Sequence, residues 1–168
     1  MLFKVLLCLC LLQVMVSARQ SGFWRKIASD KCVGARNNHY KEFTYTGPHT
    51  FIIAMKMVHK KGRIGCVDSA YTRWGCSNSH PINIIVTDTR DKLIYPSPTL
   101  VSTRTGGWYD LPGYEENSPE LVFSDPGFRY LYYGQKIRIW YGEDLHKWHE
   151  GNNHGYTCMD VYVYSTNF

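Results

Sequence analysis

Residues 135–141, QKIRIWY, and residues 158–164, CMDVYVY, decide the fold. In the first, Ile137, Ile139 and Tyr141 alternate with Lys136, Arg138 and Trp140; in the second, Met159, Val161 and Val163 alternate with Cys158, Asp160, Tyr162 and Tyr164. Side chains of a strand point to opposite faces in turn, so each stretch reads as a sheet strand with one buried face. Elsewhere in the chain Tyr, Val, Ile, Thr and Trp are abundant and Gly or Pro recurs about every ten residues, which favours many short strands over helices. Further strands are expected at 42–46, 51–58, 63–67, 70–74, 82–87, 100–103, 120–123 and 128–132. FIIAMKMV, at 51–58, is more uniformly apolar than these two and belongs at the centre of a sheet, with HKKGR, 59–63, as the turn after it. The one helix candidate is 22–29, with weak periodicity, and 96–120 reads as a long loop rich in Gly and Pro. This pattern predicts an all-β fold, a disulfide-stapled antiparallel β-sandwich of jelly-roll type.

The first 18 residues read as an export signal: Lys4, an apolar run VLLCLCLLQVMV, and a small-residue cleavage site ending at Ala18. The apolar run is too short to span a bilayer, which takes roughly 20 residues, and nothing else in the chain is comparably apolar. Residues 19–168 are then expected to form one extracellular domain without a membrane span. Without the leader the chain holds 18 Lys and Arg against 14 Asp and Glu, too little charge for a dedicated nucleic-acid binder. Four cysteines remain, and an even number in an exported chain reads as two disulfides. Of the three pairings, Cys66–Cys76 and Cys32–Cys158 are expected, one closing a short excursion and one tying the two ends of the domain together. No paired CxxC spacing supports a cysteine zinc site.

The stretches SPELVFSD (118–125), GQKIRIWYGEDL (134–145) and CMDVYVY (158–164) resemble a β-domain found in small secreted proteins of corals and sea anemones, some of them skeletal-matrix components. The resemblance implies an extracellular matrix or adhesive role and brings no catalytic residues with it.

The connection between the two diagnostic strands concentrates polar chemistry. Glu143, Asp144, Glu150 and Asp160 are oxygen donors of the kind calcium takes, six to eight per ion, although Asp and Asn also form ordinary turns. Asn152 stands where the resembled pattern favours Asp, which lowers the ligand charge. His146, His149 and His154 offer imidazoles to zinc, at a spacing that matches no zinc motif. Trp140, Tyr141 and Trp148 lie beside Glu143, Asp144, Asn152, Asn153 and Asp160, a combination suited to sugar: C–H faces pack on rings while hydroxyls bond carboxylates and amides. Tyr71, Trp74, Trp108, Tyr109 and Tyr114 are possible extensions, and core packing is the competing role for every one of these rings. Lys56, Lys60, Lys61 and Arg63 form a basic patch suited to sulfated glycans or other anionic surfaces, or else a solvated hairpin end.

No GxSxG, HExxH or P-loop is present, and Glu143 and Asp144, adjacent on an extended strand, would point apart rather than act as a glycosidase pair. The expected function is therefore non-enzymatic: a secreted protein that binds an extracellular glycan or an acidic matrix component through end loops. A structural matrix protein that engages other proteins, or a secreted toxin or defence effector, are the alternatives.

Overall fold

The structure, a computed structural model, describes residues 22–77 and 79–166; the expected leader lies outside them. The elements in chain order are β1 (Gly22–Gly34), β2 (Lys41–Thr44), β3 (Thr50–Val67), β4 (Ala70–Thr72), β5 (Ile84–Thr87), β6 (Leu93–Tyr95), a 3-10 turn (Thr103–Thr105), β7 (Glu120–Leu131), β8 (Lys136–Tyr141), a short helix α1 (Gly142–His146), a second 3-10 turn (Glu150–Asn152) and β9 (His154–Thr166). They build two antiparallel sheets, as the alternation predicts. One has the order β1-β9-β3, with β7 and β4 sharing the far edge of β3; the other has the order β2-β8-β5-β6.

The inward rungs of the five-stranded sheet follow from its register. Val163, Met55 and Phe123 lie side by side, and so do Val161, Met57 and Leu121. The other sheet answers with Phe43 beside Ile137, Val86 beside Ile139, and Ile84 beside Tyr141. All of these side chains are buried in one apolar cluster, which supplies the main drive to fold. Both disulfides pair as expected: Cys32 with Cys158 joins β1 to β9, and Cys66 with Cys76 pins the end of β3 to the loop after β4. Among the described residues, no helix is long and apolar enough to cross a membrane.

Several local expectations are corrected. Residues 22–29 are not helical; they form the start of β1, whose backbone is paired along β9, a ladder with which a weakly periodic helix cannot compete. HKKGR is not a turn. β3 runs straight through it as one strand of 18 residues, with a bulge between His59 and Lys61. Gly62 makes this possible: its φ is +84°, and a Cβ there would sit 2.4 Å from the Tyr156 carbonyl oxygen. Residues 100–103 form no strand, only a bridge from Ser102 to Trp108, because the chain reverses through Gly106 and Gly107, both at positive φ. The expected strands 120–123 and 128–132 are one strand, β7, and β6 was not anticipated.

Candidate functional site

The C-terminal end of β8 leads directly into α1, so Glu143 and Asp144 sit in the first turn of a short helix and not on an extended strand. Asn83, fully buried, holds the junction in place: its carbonyl oxygens accept from the Gly142 N–H (backbone, 2.6 Å) and the Glu143 N–H (side chain, 2.9 Å), while its Nδ2 donates to the Gly106 carbonyl at 3.0 Å. The helix start is thereby tied to the loop of Gly106 and Gly107. Gly106 has to be glycine, since a Cβ there would come within 2.8 Å of both Glu143 Cγ and Trp148 Cδ1.

Where these segments meet, Glu143, Trp148, His149 and Asn152 come together with Thr105 and Trp108 of the glycine loop, His80, and Cys66 and Val67 at the end of β3. They line a cleft of about 360 Å3. Glu143 is 5% exposed, and its Oε1 accepts from Trp108 Nε1 at 3.1 Å, whereas no hydrogen bond closes on the buried Oε2, although the Asn153 side chain stands near enough to favour the charged form. Burial pushes the Glu143 carboxyl above the usual range, opposed by the Trp108 and Asn153 side chains and by His149 and His80 nearby. Trp148, 38% exposed, stacks on His149 with ring centroids 4.9 Å apart, and His80 meets the Trp108 ring edge-on at 4.9 Å. Left-handed backbone at Lys147 and His149 turns Trp148 outward, and its N–H donates to the Glu143 carbonyl at 2.9 Å. The result is an aromatic-walled hollow with the buried Glu143 carboxylate in its lining.

The other sequence candidates are distributed differently. Asp144, 1% exposed, turns away from the cleft and accepts the Asn38 N–H at 2.8 Å; burial pushes its carboxyl up. Asn153 is fully buried and donates to the Ala35 carbonyl. Trp140 and Tyr141 are buried. Trp140 packs on Tyr40 with centroids 4.2 Å apart and donates to Thr87, and Tyr141 faces the core beside Trp108. Glu150 accepts the Asn37 N–H. Asp160 lies on the outer face of the five-stranded sheet, held by Lys26 at 2.8 Å and by the Asp30 N–H at 3.0 Å. The Lys26 hydrogen bond is the main cause that keeps the Asp160 carboxyl below the usual range.

Of the expected calcium set, Asp144 and Glu150 adjoin each other, Glu143 lines the cleft, and Asp160 lies on the outer face of the five-stranded sheet with Lys26. The three histidines also part: His149 lines the cleft, His146 is half-buried near Gly107, and His154 packs on Tyr71. Among the described residues, no three His, Cys, Asp or Glu side chains converge to hold a metal ion. Of the aromatic extensions, Trp108 joins the cleft, Trp74 and Tyr109 are core, and Tyr71 is half exposed elsewhere. His80, Thr105 and the positioning residues Asn83 and Gly106 went unread in the sequence, where only the Gly-Gly pair at 106–107 marked their loop.

No protein-family model and no curated protein sequence matches the chain. Among solved structures, AJLec from the sea anemone Anthopleura japonica superposes with a TM-score of 0.78 at 30% sequence identity, over 88% of this chain and 99% of that one. Identity of that order across almost the whole length of both chains means that this chain belongs to the same family as AJLec.

Proposed function

We propose that this chain is an extracellular carbohydrate-binding protein that takes a neutral, hydroxyl-rich sugar in the cleft between Trp148, Trp108 and Glu143. The carrying observation is the Glu143 carboxylate, buried at the cleft with no hydrogen bond closed on Oε2. A buried acceptor without a donor costs free energy in the empty protein, and a ligand hydroxyl that supplies the donor recovers it. The exposed Trp148 ring offers a flat apolar face for sugar C–H groups. An acidic sugar is disfavoured, because its carboxylate would meet Glu143 and, among the described residues, no Lys or Arg lines the cleft. AJLec, a lectin by name, is a relative of matching function class, and two disulfides suit the oxidising space in which such proteins work.

A glycan array with wild-type protein, Trp148→Ala and Glu143→Gln tests this. The wild type should bind neutral sugars, and each variant should lose about tenfold or more, the worth of one hydrogen bond to a charged group or one ring face. A blank array from a correctly folded protein overturns the reading.

One observation favours the matrix-protein alternative. Phe51, Phe128 and Tyr130 cluster on the five-stranded sheet, with Phe51 packed 5.0 Å from Tyr130 and edge-on to Phe128, and all three are about half exposed. Exposed aromatic clusters mark contacts with other proteins. Concentration-dependent association that sugar does not inhibit would favour this reading.

A further inference from the structure

The bulge in β3 has sorted its charges. In a regular strand Lys56 and Lys60 would share one face while Lys61 and Arg63 took the other, the core face of Met55, Met57 and His59. The extra residue between His59 and Lys61 reverses the alternation, so Ile64 returns to the core, fully buried, and Lys60, Lys61 and Arg63 are all exposed. The register then lines up a stripe on the outer face. Lys26, Tyr162 and Lys56 lie side by side across β1, β9 and β3, and Lys61 and Arg63 stand opposite Cys158 and Tyr156 further along. From Lys56 to Arg63 the stripe runs beside six residue steps of β9, from Tyr162 to Tyr156, about 20 Å at roughly 3.3 Å per residue.

Aromatic rings border both ends. Lys56 Nζ sits 4.6 Å from the Trp24 ring centroid and 5.4 Å from that of Tyr162, and Lys26 sits 5.3 Å from Tyr162. At the other end Tyr156 and Tyr71 are half exposed, and Arg63 donates to the Tyr71 carbonyl at 3.0 Å. The ion pairs on the stripe involve two carboxylates, Asp160 with Lys26 and Lys60, and Glu120 with Lys56 at 3.7 Å. Among the described residues Lys61 and Arg63 stand in no such pair, so the five cations of the stripe are paired with two acids and the face stays positive. None of the stripe residues lines the Glu143 cleft.

We propose that this outer face is a second binding surface, for a linear sulfated polysaccharide laid along β3. Charge complementarity selects a polyanion and the extended row selects a linear one. Flanking rings suit sugar faces, and two disulfides place the chain where polyanions are sulfated glycans rather than nucleic acids.

Immobilised heparin is the probe. The wild-type protein should be retained at low salt and released as rising salt screens the exposed lysines, the screening length being about 8 Å near physiological ionic strength. Lys60→Gln with Lys61→Gln, and the triple variant adding Arg63→Gln, should bind about tenfold more weakly or worse with unchanged melting midpoints. Desulfated heparin should retain little, and Trp148→Ala should be retained like wild type. The proposal fails if the wild type flows through, if the desulfated chain binds equally, or if the charge variants bind unchanged. It also fails if duplex DNA competes as well as sulfated glycan, or if Trp148→Ala abolishes retention, which would assign the polyanion to the cleft. A blank neutral-sugar array leaves this test unaffected, so the two readings stand or fall separately.

Discussion

Glu143 carries a conflict that one substitution can expose. Its carboxyl is held above the usual range chiefly by burial, so the folded protein binds a proton there more tightly than the unfolded chain does. By linkage, the stability contribution of this group is greatest below the ordinary glutamate value, about 4.3, and falls as pH rises through the raised folded value. Glu143→Gln should therefore raise the melting midpoint at neutral pH, and the gain should vanish in acid; calorimetry of both proteins across pH 3 to 8 checks it. Sugar binding should move the opposite way. The wild type should lose affinity as pH drops through the raised Glu143 value, above the normal glutamate range, because a protonated carboxyl ceases to be a two-oxygen acceptor. An affinity flat down to pH 4 would remove Glu143 from the site.

Among the elements, β3 does most to organise the molecule, since it pairs with β9 on one edge and with β7 and β4 on the other. Its two faces should respond differently to truncation. Met57, fully buried between Val161 and Leu121, should cost about 2 to 5 kcal/mol when cut to Ala. Lys60→Ala, on the exposed bulge, should change stability by no more than about 0.5 kcal/mol. Urea unfolding of the two variants compares them directly. Equal losses would mean that the strand is not bulged as described, with Lys60 turned toward the core. The element also shows why local reading stopped short. HKKGR has the composition of a turn, yet its backbone partners lie on β9, about a hundred residues away in the chain, and a ladder of that kind leaves no mark on the five residues themselves.

For the whole molecule, the two cystines should differ in worth. Cys32–Cys158 spans a separation of 126 residues and Cys66–Cys76 spans 10. Loop-closure entropy assigns about 5 kcal/mol to the first and about 3 kcal/mol to the second. Paired Cys→Ser variants should rank in that order in denaturant, provided the unfolded chain is expanded; a larger loss for the short loop would show that the cleft wall at Cys66, rather than chain entropy, governs stability. Function should rank the other way. Cys66 lines the cleft and Cys32 does not, so loss of the short bridge should impair sugar binding more.

The amino-acid order alone was enough for the β class and the inward faces of β8 and β9, because alternation is a local property of a strand. Four cysteines left three pairings open, and the fold selected the expected one by bringing Cys32 to Cys158 and Cys66 to Cys76. The sequence also placed Glu143, Trp148 and Asn152 among the candidates, as polar and aromatic residues crowded into one connection. Tertiary structure alone decided that Trp140 and Tyr141 belong to the interior, that α1 turns Glu143 toward the cleft and Asp144 away, and that a bulge gathers four cations on one face. Each of these outcomes depends on contacts between segments far apart in the chain: Tyr40 covering Trp140, Asn83 holding the start of α1, β9 setting the register of β3. The buried Oε2 of Glu143, on which no hydrogen bond closes, likewise exists only once its neighbours have closed around it.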